Sequence, residues 1–180
     1  MQIITTKALA KPIYQEIITY ILGVVLLFCS AQSYIPLDPV PITMQTVGIM
    51  LIALLYDTKK GLITYGLYVL LGGIGAPMFS GFSAGLNTIF GLHFGYFIGF
   101  AVAIYTMNLI KEKIGSDNFV KIALSCSFGT IMIFVFGIFW LSLTFGFKEA
   151  IIVGLLPFIF PGMAKIVVLA GIVRILKITK

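Results

Sequence analysis

Lys165 is the residue of this sequence that most clearly needs a polar or charged partner. It lies inside an apolar stretch, residues 150–173, and follows the pair Pro161-Gly162. A lysine near the centre of a membrane helix costs about 2.5–3.5 kcal/mol on insertion scales, so such a charge usually faces a cavity or a partner. We therefore expect its ammonium to meet a carboxylate or a strongly polar oxygen of a substrate. The alternative is a lysine that extends along apolar surface toward the membrane interface.

A second chemical pattern is GFSAG at residues 81–85, which matches the GxSxG motif of serine hydrolases. That motif depends on a strained strand-to-helix turn and on a histidine and an acid as partners. Here the surroundings are rich in glycine, His93 is the single histidine, and Asp38 is the nearest obvious acid. An intramembrane serine hydrolase that uses Ser83 and His93 is therefore a distant alternative. The two cysteines lie in apolar stretches without metal-ligand spacing, so we expect no metal site.

Polar uncharged residues gather near the loops that follow the first and third long apolar segments. They are Gln32, Ser33, Thr43, Gln45, Thr46, Ser80, Ser83 and Asn87. Neutral loops with amides, hydroxyls and glycines suit a lid over a small organic ligand better than an ion pathway.

Three glycines mark a packing face in the string GLHFGYFIG. Gly91, Gly95 and Gly99 are four residues apart, so they line one side of a helix and allow another helix to approach closely. His93 and Tyr96 are three residues apart beside that face. A structural role is the simpler interpretation for the histidine.

These residues must be positioned by membrane helices. Of 180 residues, 60% are hydrophobic and 10% are charged, and the mean hydropathy is +1.13. An average soluble domain has about 25% charged residues, and so few polar groups cannot cover a soluble protein of this size. The sequence therefore predicts an all-α integral membrane protein. The net charge of +6 does not indicate a nucleic-acid partner, because the basic residues form no stripe.

Charged residues and helix breakers divide the chain into six predicted spans. A helix crosses the hydrocarbon core with about 20 apolar residues, so stretches of twice that length must fold back. The breaks are predicted at three prolines in residues 36–41 and at the glycine-rich segment 72–85, and the last span is interrupted at Pro161-Gly162. The spans lie near residues 16–35, 41–56, 61–76, 89–110, 122–147 and 150–173.

The basic residues predict the orientation of these spans. Lys148 falls alone on one side, and ten of the twelve basic residues fall on the other: Lys7, Lys11, Lys59, Lys60, Lys111, Lys113, Lys121, Arg174, Lys177 and Lys180. Because cytoplasmic flanks carry the excess of Lys and Arg, both termini are expected in the cytoplasm. We interpret residues 1–180 as a single six-span membrane domain. It has no GxxxxGK[ST] loop of its own to hold ATP.

Several longer motifs resemble one family of membrane proteins. The segment AQSYIPLDPVPITMQT, residues 31–46, resembles the first outer loop of the BioY family, the biotin-specific substrate-capture subunits of energy-coupling-factor (ECF) vitamin transporters. The segment YGLYVLLGGIGAPMFSGFSAG looks like that family's third span and following loop. GLHFGYFIGF is similar to the family's GPTGGYLLGF at Gly91, Gly95, Tyr96, Gly99 and Phe100. PFIFPGMAK is similar to the family's PFIPGDLIK at Pro157, Phe158, Ile159 and Lys165.

The resemblance departs from the family pattern at one chemically important position. Without a gap, the acidic residue of the family's last motif falls on Gly162, and with a shift of one residue it falls on Met163. Neither alignment supplies a carboxylate.

The resemblance implies a multi-pass protein of the cell membrane that captures biotin from the outside. Partner subunits then drive import, namely an ECF transmembrane coupling subunit and two cytoplasmic ATPase subunits. The protein itself is expected to be in contact with membrane lipid, to bind no nucleic acid, to need no cofactor and to have no enzymatic activity. A substrate-capture component for another small vitamin is the alternative.

The resemblance also supplies a set of candidate substrate-binding residues. Lys165 is the principal candidate, as the partner of the ligand's carboxylate or ureido oxygen. Gln45, Asn87 and Tyr96 are expected to donate hydrogen bonds or to stack. Phe79 and Gly81 lie in the loop 77–86, which would act as a lid.

Overall fold

The structure is a computed structural model that describes residues 13–178, and this part of the chain is almost entirely helical. Two-residue strands β1 (Tyr34–Ile35) and β2 (Ile42–Thr43) pair antiparallel. Short 3-10 turns cover Ser80–Phe82 and Leu156–Phe158. The helices are α1 (Ile13–Gln32), α2 (Gln45–Leu55), α3 (Thr58–Gly73), α4 (Leu86–Ile89), α5 (Phe94–Ile114), α6 (Phe119–Phe145), α7 (Phe147–Gly154) and α8 (Ile159–Ile178). The predicted all-α class is confirmed.

Four helical segments of the described residues are long and apolar enough to cross a membrane. They are α1, α5, α6 and the segment Phe147–Ile175, which joins α7 to α8. Helix α2, with 11 residues, lies within the span predicted near 41–56, and α3, with 16 residues, overlaps the span predicted near 61–76 but begins three residues earlier. At 1.5 Å per residue these two helices are about 17 and 24 Å long, which is less than the roughly 30 Å of a bilayer core.

The predicted breaks at the prolines and at the glycine-rich segment are present, but the break in the last span lies elsewhere. Pro161 and Gly162 were expected to interrupt that span, and this expectation was wrong. The chain leaves helical geometry at Leu155 and passes through the turn that contains Pro157. Pro161 lies in the first turn of α8, where a backbone N–H has no intrahelical partner, so a proline there removes no hydrogen bond.

Helices α5 and α6 form the central pair of the molecule, and glycines allow their close approach. A Cβ added to Gly99 would lie 2.8 Å from the Cα of Ile133, and one added to Gly95 would lie 2.5 Å from the Cβ of Trp140. From the other side, Gly137 of α6 receives the ring of Tyr96. The predicted packing face of α5 is therefore the face that α6 covers.

Basic side chains concentrate at one end of the helices, which we call the basic end: the turns 55–58 and 114–119 and the last turns of α8. Lys111 donates to the carbonyls of Ala53 and Tyr56, at 2.7 and 2.8 Å, and so caps the end of α2. Lys60 pairs with Glu16 of α1 at 3.4 Å. Lys7, Lys11 and Lys180, which also entered the orientation prediction, lie outside the described residues.

The opposite end, which we call the pocket end, consists of the segments 33–44, 74–93 and 146–158. Large apolar side chains cover the outer faces between the two ends. Ile17 and Ile21 of α1, Phe128 of α6, and Phe160 and Val167 of α8 are all exposed. Such a surface is compatible with lipid and not with water.

Candidate ligand-binding site

A pocket lies among α2, α5, α6 and α8 at the pocket end. The empty space within its lining and its open mouth is about 660 Å³. The lining is mostly apolar and aromatic, with a few polar groups. It consists of Val40, Pro41, Thr43, Gln45, Thr46, Phe79, Ser80, Thr88, His93, Tyr96, Phe97, Phe100, Ile133, Phe134, Phe158 and Lys165.

Lys165 brings a positive charge into this pocket from α8. Its Nζ donates to the carbonyl oxygen of Thr43 at 2.6 Å and lies 3.4 Å from the hydroxyl of Thr46. An ammonium has three donors, so one N–H remains for a ligand. Among the described residues, no aspartate or glutamate lines the pocket. A ligand with an anionic or strongly polar oxygen therefore fits this position.

Space also remains beside Lys165, on the side of Gly162. A Cβ added to Gly162 would have no neighbour within 4 Å. A smaller cleft adjoins there and is lined by Gly162, Met50 and Thr130 together with residues of the main pocket. No side chain of the described residues fills the position at which the resembling family has its acid.

Gln45 and Tyr68 connect the pocket to the glycine-rich loop. The buried Gln45 lies in the first turn of α2, and its Nε2 donates to the Tyr68 hydroxyl at 3.1 Å. Tyr68 in turn donates to the carbonyl of Met78 at 3.1 Å. The side-chain oxygen of Gln45 can therefore face the pocket as a fixed acceptor.

Tyr96 lines the pocket with its ring, while its hydroxyl is already engaged. The hydroxyl donates to the carbonyl of Gly154 at 2.9 Å, which ties α5 to the end of α7. Because Gly137 has no side chain, the ring packs closely against α6. In this arrangement Tyr96 offers a ligand its ring and not its hydrogen-bonding group.

Phe79 lies on the wall formed by the glycine-rich loop. Its buried ring contacts the backbone of Gly72 and meets the rings of Phe97 and Tyr68 edge to face, with centroids 5.0 and 5.6 Å apart. An added Cβ on Gly72 would lie 2.6 Å from two atoms of this ring. The loop is thus anchored by an aromatic side chain that also lines the pocket.

Two of the predicted residues do not line the pocket. Gly81 is exposed in the loop, where its φ of 66° is in the region that favours glycine. Asn87 is exposed on the one-turn helix α4, and its neighbour Thr88 lines the pocket in its place. The structure thus brings Lys165, Gln45 and Phe79 together with Tyr96 but leaves these two outside.

Most of the apolar lining was not predicted from the sequence. Phe97 and Phe100 of α5, Ile133 and Phe134 of α6, and Phe158 of the turn before α8 face the pocket. Phe100 could have been found, because it lies four residues after Tyr96 and so on the same helix face. The residues of α6 carry no such signal, because pocket-facing and lipid-facing residues of a membrane helix are equally apolar.

Ser83 and His93 do not form a catalytic pair. The Ser83 hydroxyl donates to the carbonyl of Ser80 at 2.9 Å, and Nε2 of His93 lies 3.1 Å from the carbonyl of Pro39. His93 thus ties the proline-rich loop to the start of α5. The segment around Ser83 is a loop with a 3-10 turn and not a strand-to-helix elbow.

Comparisons with known proteins agree with this architecture. The model of the BioY family matches residues 4–179. The probable biotin transporter BioY of Rickettsia prowazekii is 32% identical over 162 residues, which cover 90% of this chain and 83% of the relative. The biotin transporter BioY of Thermotoga maritima is 34% identical over 84% of this chain and 89% of the relative. The crystal structure of the S-component for biotin from an ECF-type ABC transporter matches with a TM-score of 0.81 and 25% identity over 91% of each chain.

Proposed function

Because the chain belongs to the BioY family, we propose that it is the S component of an ECF-type vitamin transporter and captures biotin in the pocket at its pocket end. The observation that carries this proposal is the pocket itself. It is an apolar and aromatic cavity with a few polar groups and one lysine among its lining residues. The protein is a multi-pass membrane protein and a binding subunit, not an enzyme, so the serine hydrolase alternative is wrong.

The chemistry of biotin fits the groups that line the pocket. Biotin has one carboxylate, a ureido ring with donors and acceptors, and an apolar body made of the thiophane ring and the valeryl chain. Lys165 donates to one of the two oxygen-rich ends, the carboxylate or the ureido oxygen. The side-chain oxygen of Gln45 accepts from a ureido N–H, and the rings of Tyr96 and Phe79 cover the apolar body.

Asn87 and Gly81 belong to the proposed site through the loop. Both lie within or beside the lid segment 77–86 and are exposed without biotin. With Phe79 held at the pocket wall, the amide of Asn87 and the backbone of Gly81 act from the outer part of the lid. Their contribution is measured by biotin affinity of Asn87→Ala, for which we expect a smaller loss than for substitutions of Lys165.

A ligand analogue distinguishes the two roles of Lys165. Biotin methyl ester keeps the ureido ring and lacks the negative charge. A loss of affinity of tenfold or more relative to biotin would assign Lys165 to the carboxylate, since hydrogen bonds to charged groups contribute about 1.5–3 kcal/mol. Equal affinity would assign it to the ureido oxygen.

The topology that we propose has six spans, both termini in the cytoplasm and one domain over residues 1–180. Contacts at the basic end support six spans even though α2 and α3 are short: Lys60 at the start of α3 pairs with Glu16 at the start of α1, and Lys111 near the end of α5 donates to the carbonyl of Tyr56 after α2. Lys59, Lys113 and Lys121 mark the cytoplasmic side. Single cysteines at Lys113 and Lys148 test the orientation, since an impermeant thiol reagent added to intact cells should label only position 148.

We propose that partner subunits drive import with ATP, for which this sequence has no GxxxxGK[ST] loop. We propose an ECF transmembrane coupling subunit and two cytoplasmic ATPase subunits as these partners. Affinity purification of this protein from its own membranes should recover all three. Recovery of a complex without ATPase subunits would contradict this composition.

The identity of the vitamin is tested by identifying the small molecule that stays bound to the protein during purification. The protein is purified in detergent and denatured, and the released small molecules are identified by mass spectrometry. We expect biotin, and excess unlabelled biotin should displace labelled biotin where thiamine, riboflavin or folate do not. Displacement by one of these other vitamins, without displacement by biotin, would favour an S component of different specificity.

A further inference from the structure

Gln32, the last residue of α1, uses both ends of its side-chain amide to hold the glycine-rich loop. Its Nε2 donates to the carbonyl of Phe79 at 2.8 Å and lies 3.4 Å from that of Met78. Its Oε1 accepts from the backbone N–H of Phe82 at 3.1 Å. One side chain thus joins three residues of the loop that are about fifty positions away along the chain.

The loop segment that Gln32 holds is also a wall of the pocket. Phe79 and Ser80 line the cavity, and the carbonyl that accepts from Gln32 belongs to Phe79 itself. On the inner side, Tyr68 donates to the carbonyl of Met78. The loop is therefore held by hydrogen bonds from two helices, α1 outside and α3 inside.

The backbone of the loop is strained where Gln32 grips it. Gly81 and Phe82 both have positive φ, 66° and 56°. Phe82 is not a glycine, so this conformation is unfavourable and persists only where surrounding contacts impose it. The contacts from α1 that favour it include the hydrogen bond from the Phe82 N–H to Gln32 and a ring contact with Phe28, with centroids 6.3 Å apart. Without them the loop would relax away from this geometry.

Helix α1 lies at the periphery of the bundle, which gives this connection a mechanical consequence. Its buried residues are only Gly23, Leu27, Ser30 and Ala31, and most of its large apolar side chains are exposed. Toward the basic end, the Tyr56 hydroxyl donates a hydrogen bond to the carbonyl of Thr19 in α1. A shift of α1 would therefore reach the pocket through Gln32.

We propose that Gln32 is a positioning residue that latches the loop over the pocket and sets the rate at which the ligand leaves. That biotin is the ligand rests on the proposed function. The hydrogen bonds between Gln32 and the loop do not depend on it. Gln32 touches the loop and is not among the residues that line the pocket. Its effect on the ligand is exerted through Phe79.

The test measures the dissociation rate of radiolabelled biotin from detergent-purified protein after a chase with unlabelled biotin. Gln32→Ala removes the two short hydrogen bonds, each of which shifts an equilibrium by about fivefold. We expect dissociation to be roughly tenfold to thirtyfold faster. Gln32→Glu keeps the size of the side chain but places a carboxylate oxygen against the Phe79 carbonyl, so it should release biotin at least as fast.

Ser142→Ala is the matched control. It also removes a hydrogen bond from a side chain to a backbone carbonyl near the pocket end, that of Phe139 at 2.7 Å, but it does not touch the loop. It should dissociate at the wild-type rate. Dissociation at the wild-type rate from both Gln32 variants would overturn the latch, because a structural role alone lowers the folded fraction and not the rate of release from folded protein.

Hydrogen exchange in the protein without ligand tests the latch independently of biotin. The amide of Phe82 should exchange at least about fivefold faster in Gln32→Ala than in the wild type, while amides in α5 and α6 keep their protection. Unchanged exchange at Phe82 would overturn the latch. Wild-type protein that binds no biotin would overturn the proposed ligand instead, and the exchange result would still decide the role of Gln32.

Discussion

Replacement of Lys165 by methionine tests the chemistry of the proposed site most specifically. Methionine keeps an unbranched chain of similar length and removes the charge and the three donors. In the protein without ligand the substitution removes the 2.6 Å hydrogen bond to the Thr43 carbonyl. In the complex it also removes the bond to the oxygen of biotin.

The expected magnitude follows from these two losses. A hydrogen bond to a charged group contributes about 1.5–3 kcal/mol, and 1.4 kcal/mol is a factor of ten in affinity. If one such bond joins Lys165 to biotin, Lys165→Met should raise the Kd by about tenfold to 150-fold. The Thr43 carbonyl loses its partner in free and bound protein alike, so this second loss lowers the stability of the fold and largely cancels in the Kd.

Isothermal titration calorimetry with detergent-purified protein measures this change. Lys148→Met is the control, because it removes an exposed lysine at the same end of the molecule, outside the pocket. Its Kd should equal that of the wild type. If Lys165→Met folds and binds biotin with unchanged affinity, Lys165 has no part in ligand binding and only holds the Thr43 carbonyl.

Three further substitutions test the packing that shapes the site. Gly95→Ala should lower the free energy of unfolding by about 1–3 kcal/mol through overpacking against α6. Gly66→Ala, at an open position of α3, is the control and should not lower it. Equal thermal stability of the two variants would contradict the close contact between Gly95 and α6. Gly72→Ala should displace the ring of Phe79 and speed biotin release in a chase experiment, and a wild-type rate would show that the ring is no part of the lid. Lys111→Met should lower thermal stability by removing the cap of α2 but leave the biotin Kd within about twofold, and a larger change in Kd would show that the basic end controls the pocket.

The helices of this protein could be predicted from its charges and helix breakers because both act locally. A charge costs free energy in lipid wherever it occurs, and prolines or clustered glycines disfavour a helix by their own geometry. The small hairpin could not be predicted in this way, because it depends on a bond from the Met44 N–H to the Ser33 carbonyl across the loop. The break in the last span was predicted at Pro161 but lies at the turn that contains Pro157. A proline can break a helix or occupy its first turn, and the sequence alone does not show which of the two each proline does.

The candidate site was predictable where a residue type is unusual in its surroundings. Lys165 in an apolar helix and Gln45 beside the proline-rich loop stand out from the sequence, and both line the pocket. Phe134 and Phe158 do not stand out, because a membrane protein places the same residue types against lipid and against a ligand. Asn87 was predicted to line the pocket, but Thr88 lines it in its place. Which of these two neighbours faces the pocket depends on how the one-turn helix α4 is rotated, and a single sequence does not determine that rotation.

Direct binding of biotin tests the central claim. Radiolabelled biotin is equilibrated with detergent-purified protein, and bound ligand is separated and counted against a control with excess unlabelled biotin. The pocket geometry and the family membership predict saturable binding of one biotin per chain at micromolar ligand or below. Folded protein that binds no biotin at micromolar concentration would contradict the account.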